Sequence, residues 1–205
     1  MGEDAYALEV EAALGDLLEG SEQEALVRYQ LALRYLRSLG VAPGRLEQCQ
    51  ALEEIYLGQT AFPLEDLAAE AAGLHYRYRK RGFTRGPVEP SLLAATLRYL
   101  VEPDSSISEG RSEIVEDRIY LRHAVLEDPQ DVAFQVLHEI AEARIGHRGS
   151  HADVQILTAL LAVERGDVRP KLKHGTGVAT RLILQEFSHV PQWLLAVSVL
   201  LRAEK

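Results

Sequence analysis

The chain has 205 residues, 47% of them hydrophobic and 26% charged, which suits one ordinary domain with an appendage and excludes wholesale disorder. Its 31 acidic residues outweigh 22 basic ones, and the net charge of −9 argues against a mainly electrostatic grip on nucleic acid. The single cysteine, Cys49, excludes an intramolecular disulfide and a thiolate zinc knot, so any metal site has to be made of His, Asp and Glu.

The first residues, Met-Gly-Glu-Asp-Ala, lack the cationic and apolar regions of a leader peptide. The strongly apolar stretches around 157–163 and 193–201 are too short to span a bilayer. The expectation is a soluble, cytoplasmic protein without membrane partners. Residues 1–58 read as a helical region. Tyr6, Leu8, Val10, Ala13, Leu14, Leu17 and Leu18 recur at helical spacing up to Gly20. Ser21 and Glu24 have the form of a capping box for a second helix, which ends near Gly40. Pro43-Gly44 marks a turn before a third helix over about 46–57, and three such helices make a small antiparallel bundle. The bundle is either a packing module or a tetratricopeptide-like unit, although no second copy follows at a fixed period.

Residues 59–165 form the expected central domain, and 166–205 form helices that pack on it. Pro63 opens a short helix over about 64–74. Arg77, Arg79, Lys80, Arg81 and Arg85, with Tyr76, Tyr78 and Phe83 among them, read as a phosphate patch or as a solvated loop or strand. Residues 102–110 are turn-rich and read as an exposed loop. Ile114-Val115, Ile119 and Leu121 suggest a strand or hairpin over 113–123. Asp128-Pro129 is a strong helix start, with the helix running over 132–145 and Gly146 at its C′ position. Ser150 starts another helix over about 152–163. Gly166 and Pro170 read as breaks before two last helices, over about 178–187 and 191–202. Ser188-His189-Val190 makes the tight corner between those two.

The chemistry concentrates in His138-Glu139-Ile140-Ala141-Glu142. Residues 138 and 142 are one helical turn apart and share a face, the spacing needed when two metal ligands come from one helix. Glu139 lies beside the pair as a candidate catalytic base. This is the logic of the His-Glu-x-x-His zinc helix with Glu142 in the second His position. A third ligand would come from His151 first, with Asp153 and His147 as alternatives. Asp153 has a competing structural role, because Ser150-His151-Ala152-Asp153 also has the form of a capping box.

Residues 113–163 resemble the ImmA/IrrE family of zinc-dependent peptidases, and 60–200 do so more loosely. The resemblance rests on Ile119-Tyr120-Leu121, Asp128-Pro129, the helix Phe134-Gln-Val-Leu-His-Glu-Ile-Ala-Glu-Ala143, and the Ala/Leu-rich run from His151 to Ala162. It implies a mostly helical α+β fold: a zincin-like domain with a small sheet of about three strands beside the N-terminal bundle. It further implies that His138 is the first zinc ligand and Glu139 the general base. Glu142 stands where the family has His, and His151 where it has Glu, so the two exchanges preserve the ligand set. The implied activity is a zinc metallopeptidase acting on a protein, a transcriptional regulator by analogy with the family. Tyr120 or His123 would then be near enough to stabilise an oxyanion. The alternatives are a catalytically inactive zincin-like scaffold that binds a protein partner through its N-terminal helices, and a DNA-associated regulator using the Arg77 to Arg85 cluster.

Overall fold

The computed structural model describes residues 54, 55, 58–83, 87–104, 106 and 112–203. The N-terminal bundle, its capping box at Ser21, Cys49, Arg85 and the 107–110 part of the loop lie outside the described residues. The elements in chain order are α1 (Leu64–Lys80), α2 (Pro90–Thr96), β1 (Leu100–Pro103), β2 (Ser112–Val115), β3 (Arg118–Leu121), α3 (His123–Leu126), α4 (Pro129–Ile145), α5 (His151–Ala162), α6 (Arg165–Leu172), α7 (Thr176–Glu186) and α8 (Gln192–Ala203). A single 3-10 turn, Gly146–Arg148, joins α4 to α5. The architecture is mostly helical with a three-stranded mixed sheet, an α+β arrangement. Among the described residues no helix is long and apolar enough to cross a membrane.

The sheet has the order β1-β3-β2. β2 and β3 form the expected hairpin, pairing Ser112 with Leu121 and Ile114 with Ile119. β1 runs parallel to β3, with Val101 opposite Ile119. Strand alternation puts Ile119 and Leu121 on the buried face. Glu102 and Pro103, expected in a loop, instead close β1. β1 is an edge strand, where a proline at the strand end costs no ladder hydrogen bond.

α5 is the central element. Every residue from Ala152 to Val163 is buried, so no face of this helix meets water. One hydrophobic cluster extends from Ile55 to Leu201 and takes in α1, α4, α5, α7 and α8. Phe134 of α4 meets Trp193 of α8 edge-on, with ring centroids 5.6 Å apart. The helix starts follow the sequence signals. Asp128 accepts the Gln130 N–H ahead of Pro129, and Gly146 ends α4 at a φ of 58°.

Two local expectations change. Arg77, Arg79 and Lys80 of the basic segment lie in neither loop nor strand but in the last turns of α1, with Arg81 at its C-cap. Leu74, His75 and Tyr78 supply its buried face, and Arg77, Arg79 and Lys80 complement the negative end of the helix dipole. Tyr78 stacks on Phe83 at 4.6 Å, while Arg79 pairs with Glu164 at 2.6 Å. The second change is α6, which contains both Gly166 and Pro170. Pro170 removes one backbone donor. Burial of Val168 and a Lys171 Nζ bond to the Asp167 carbonyl at 3.0 Å hold the short helix together.

A buried helix end must have its carbonyls satisfied by the protein. At the C-terminus of α5, Arg202 of α8 donates to the Leu160 and Val163 carbonyls, each at 2.6 Å. His75 of α1 donates through Nε2 to the Leu161 carbonyl at 3.0 Å. Burial lowers the pKa of Arg202 to about 10 and that of His75 to about 4. Replacing Arg202 by Ala is expected to cost roughly 2–4 kcal/mol in urea denaturation, because it strands two buried carbonyls. A loss below about 0.5 kcal/mol would show that water replaces the cap.

His75 also predicts a pH effect of definite sign. The unfolded ring takes a proton below 6.5, whereas the folded ring resists protonation until about 4. Stability from this group is therefore complete above 6.5 and is lost as pH falls toward 4, at roughly 1.4 kcal/mol per unit. Comparing the wild type with His75→Gln isolates this group. The stability advantage of the wild type should shrink steadily between pH 6.5 and 4. A constant difference would refute the assignment.

Candidate functional site

His138 and Glu142 lie where α4 faces the start of α5. Their Nε2 and Oε2 atoms are 3.9 Å apart, with the His138 side chain 14% exposed and that of Glu142 56% exposed. His151, the first residue of α5, brings its ring to 5.5 Å from the His138 ring, centroid to centroid, at an angle of 70°. Glu54 approaches from the other side, its Oε2 2.6 Å from His151 Nδ1. Two imidazoles and two carboxylates therefore share one neighbourhood at the α4–α5 corner.

Packing brings these groups together. α4 buries Phe134, Leu137 and Ala141 against the core, which leaves His138 largely buried at the edge of that face. Gly149 allows the tight return into α5, since a Cβ there would fall 2.2 Å from Ile145 Cγ2. Burial lowers the His138 pKa to about 4, and the neighbouring His151 ring pushes in the same direction. His138 is therefore a neutral imidazole at physiological pH, the form that donates a lone pair to a metal. Its buried Nδ1 makes no hydrogen bond of good geometry among the described residues, although the Gln155 side chain is near enough to oppose the fall in its pKa. The hydrogen bond that the His151 ring donates to the Glu54 carboxylate raises the His151 pKa.

Glu139 occupies a different face of α4, beneath β2. It is 4% exposed. Ser112 Oγ lies 2.5 Å from Glu139 Oε1 and 2.7 Å from Gln135 Oε1. The hydroxyl has one proton, so it can donate to only one of them at a time. Burial raises the Glu139 pKa to about 7, and the Ser112 hydrogen bond opposes that shift. A carboxyl that titrates near neutrality is matched to proton transfer at physiological pH.

The alternative ligands occupy other places. Asp153 is fully buried and closes the capping box with Ser150 that its spacing suggests. Its carboxylate also accepts the Ala61 and Phe62 N–H groups at 2.9 and 3.2 Å. Burial works against its charge, but the donated hydrogen bonds outweigh it and hold the pKa below the ordinary value. His147 is exposed on the 3-10 turn. Tyr120 is partly buried on β3, and His123 is exposed at the start of α3.

Among the described residues, no group of three His, Cys, Asp or Glu side chains converges as it stands on a point that could hold a metal ion. Two of the three separations, His138 to Glu142 and His138 to His151, are nonetheless close to those of a shared ion. Two imidazoles on one tetrahedral zinc have ring centroids about 5 Å apart, and two of its donor atoms lie about 3.3 Å apart. The donor types fit zinc, and closing the set of His138, Glu142 and His151 requires side-chain rotation. Glu54 and Ser112 have no local sequence signal, because each reaches the site across the fold. Comparison with protein-family models, with curated proteins and with solved structures finds no match to this chain.

The Ser112 contact predicts the response of Glu139. Removing the hydroxyl in Ser112→Ala removes support for the charged form, so the Glu139 pKa should rise above about 7. Carbon-13 NMR of the side-chain carboxyl reads this directly. A fall, or no change, would mean that Ser112 does not donate to Glu139.

Proposed function

We propose that this protein is a zinc-dependent hydrolase that cleaves a peptide bond in a protein substrate. One observation carries the reading: His138 and Glu142 share one edge of α4, the first largely buried and the second exposed, while His151 of α5 stands 5.5 Å from His138. Two imidazoles and a carboxylate are a common ligand set of catalytic zinc sites. When bound there, zinc would supply Lewis acidity toward a peptide carbonyl and toward water.

The protein's own residues supply the rest. His138, Glu142 and His151 would hold the ion. Glu139, next to the first ligand in sequence but on another face of α4 beneath β2, would turn from Ser112 toward the ligand edge to accept a proton from the attacking water and return it to the leaving amine. With Glu139 ionised, Ser112 donates to it; with Glu139 protonated, the Ser112 proton is free to turn to Gln135. The resemblance to ImmA/IrrE peptidases makes a regulatory protein the preferred class of substrate. A second reading, an inactive zincin-like scaffold that binds a protein partner, is favoured by the three donors standing short of convergence.

Elemental analysis of protein purified without chelator is expected to find about one zinc per chain, as a three-ligand site requires. His138→Ala and His151→Ala should each lose the metal. Glu139→Gln should keep it while hydrolysis of an unstructured protein such as casein falls by about 10²–10⁴-fold. Metal absent from the wild type, or retained in the double His variant, would overturn this ligand set. Metal-loaded protein on which Glu139→Gln has no effect would favour the scaffold.

A further inference from the structure

We infer that Glu54 is a positioning residue for His151, an inference that rests on the metal-dependent reading above. The hydrogen bond of 2.6 Å joins Glu54 Oε2 to His151 Nδ1. An ionised carboxylate only accepts, so Nδ1 carries the proton of the neutral ring and Nε2 keeps the lone pair. Carboxylate partners of this kind fix the tautomer and orientation of metal-binding imidazoles and raise their basicity. Glu54 thereby selects Nε2 as the nitrogen of His151 that would meet a metal.

The contact is held from both sides. Ile55, the next residue, is 8% exposed and belongs to the hydrophobic core. The Gly58 N–H donates to the Glu54 carbonyl at 2.8 Å. Gly58 passes so close to α5 that a Cβ there would lie 2.6 Å from Ala152 Cβ and 2.3 Å from the Glu54 carbonyl oxygen. Ala61 and Phe62 then bind the Asp153 carboxylate with their backbone N–H groups. Glu54, Gly58, Ala61 and Phe62 are thus moored along the first turn of α5 on either side of the His151 contact. An exposed ion pair adds little to stability. The effect of Glu54 falls instead on the ring and on its affinity for a metal.

The test has two arms on the full chain. In metal-free protein at a pH where the ring is neutral, long-range nitrogen-15 NMR is expected to report the Nδ1–H tautomer of His151. Glu54→Ala should shift it toward Nε2–H, and Glu54→Asp should restore part of the Nδ1–H form. In the second arm, chelator competition should show zinc binding weakened about 10- to 100-fold in Glu54→Ala, with an unchanged urea midpoint. A wild-type ring in the Nε2–H form, a tautomer indifferent to Glu54→Ala, or equal zinc affinity in the two proteins would each overturn the inference. A wild type that binds no zinc would overturn the metal reading alone, since the tautomer arm reads Glu54 without metal.

Discussion

The burial of α5 on every side is the constraint from which the rest of the structure follows. A helix surrounded by protein cannot pass its end groups to water, so its neighbours must satisfy them. At its start the Ser150–Asp153 capping box does this, and Asp153 also binds the backbone of Ala61 and Phe62. At its end, Arg202 from α8 and His75 from α1 take the carbonyls. α5 is therefore fixed at its start by its own Asp153 bound to the Ala61–Phe62 backbone, and at its end by side chains from the chain regions before and after it. The candidate site lies at the start of the same helix, because its first residue, His151, stands beside that cap.

The same burial sets the protonation states around the site. Low exposure makes charge expensive, so His138 is held neutral and Glu139 is pushed toward neutrality. His151 is more exposed and has a carboxylate partner, so it is pushed the other way. Two imidazoles 5.5 Å apart thus differ in their affinity for protons through environment alone. Such divergence within one small cluster is the pattern found where side chains divide chemical roles. Ser112 adds a further level of control, since its single proton lies between Glu139 and Gln135.

Much of the fold was legible in the chain because its signals are local. Asp128-Pro129 started α4, Gly146 ended it and Ser150 capped α5, each acting through the next few backbone groups. The β2–β3 hairpin followed from alternation over a few residues. Gly166 and Pro170 misled because their breaking tendency is a local average, and the burial of Val168 overrode it in α6. The end of α1 was missed for a similar reason: Tyr78 gains a stacking partner, Phe83, only once the helix has formed.

For the site, residue spacing alone says which side chains share a helical face. His138 and Glu142 are one turn apart wherever the helix is placed, and Glu139 is bound to lie on another side. Packing across the fold brings His151 to His138, adds the Ala61 and Phe62 backbone to the Asp153 cap, sets Glu54 against His151 and sets Ser112 against Glu139. Helical spacing is fixed by backbone geometry within a few residues. A contact such as Glu54 with His151 spans 97 positions and exists only because α4, α5 and the segment ahead of α1 pack around one buried core.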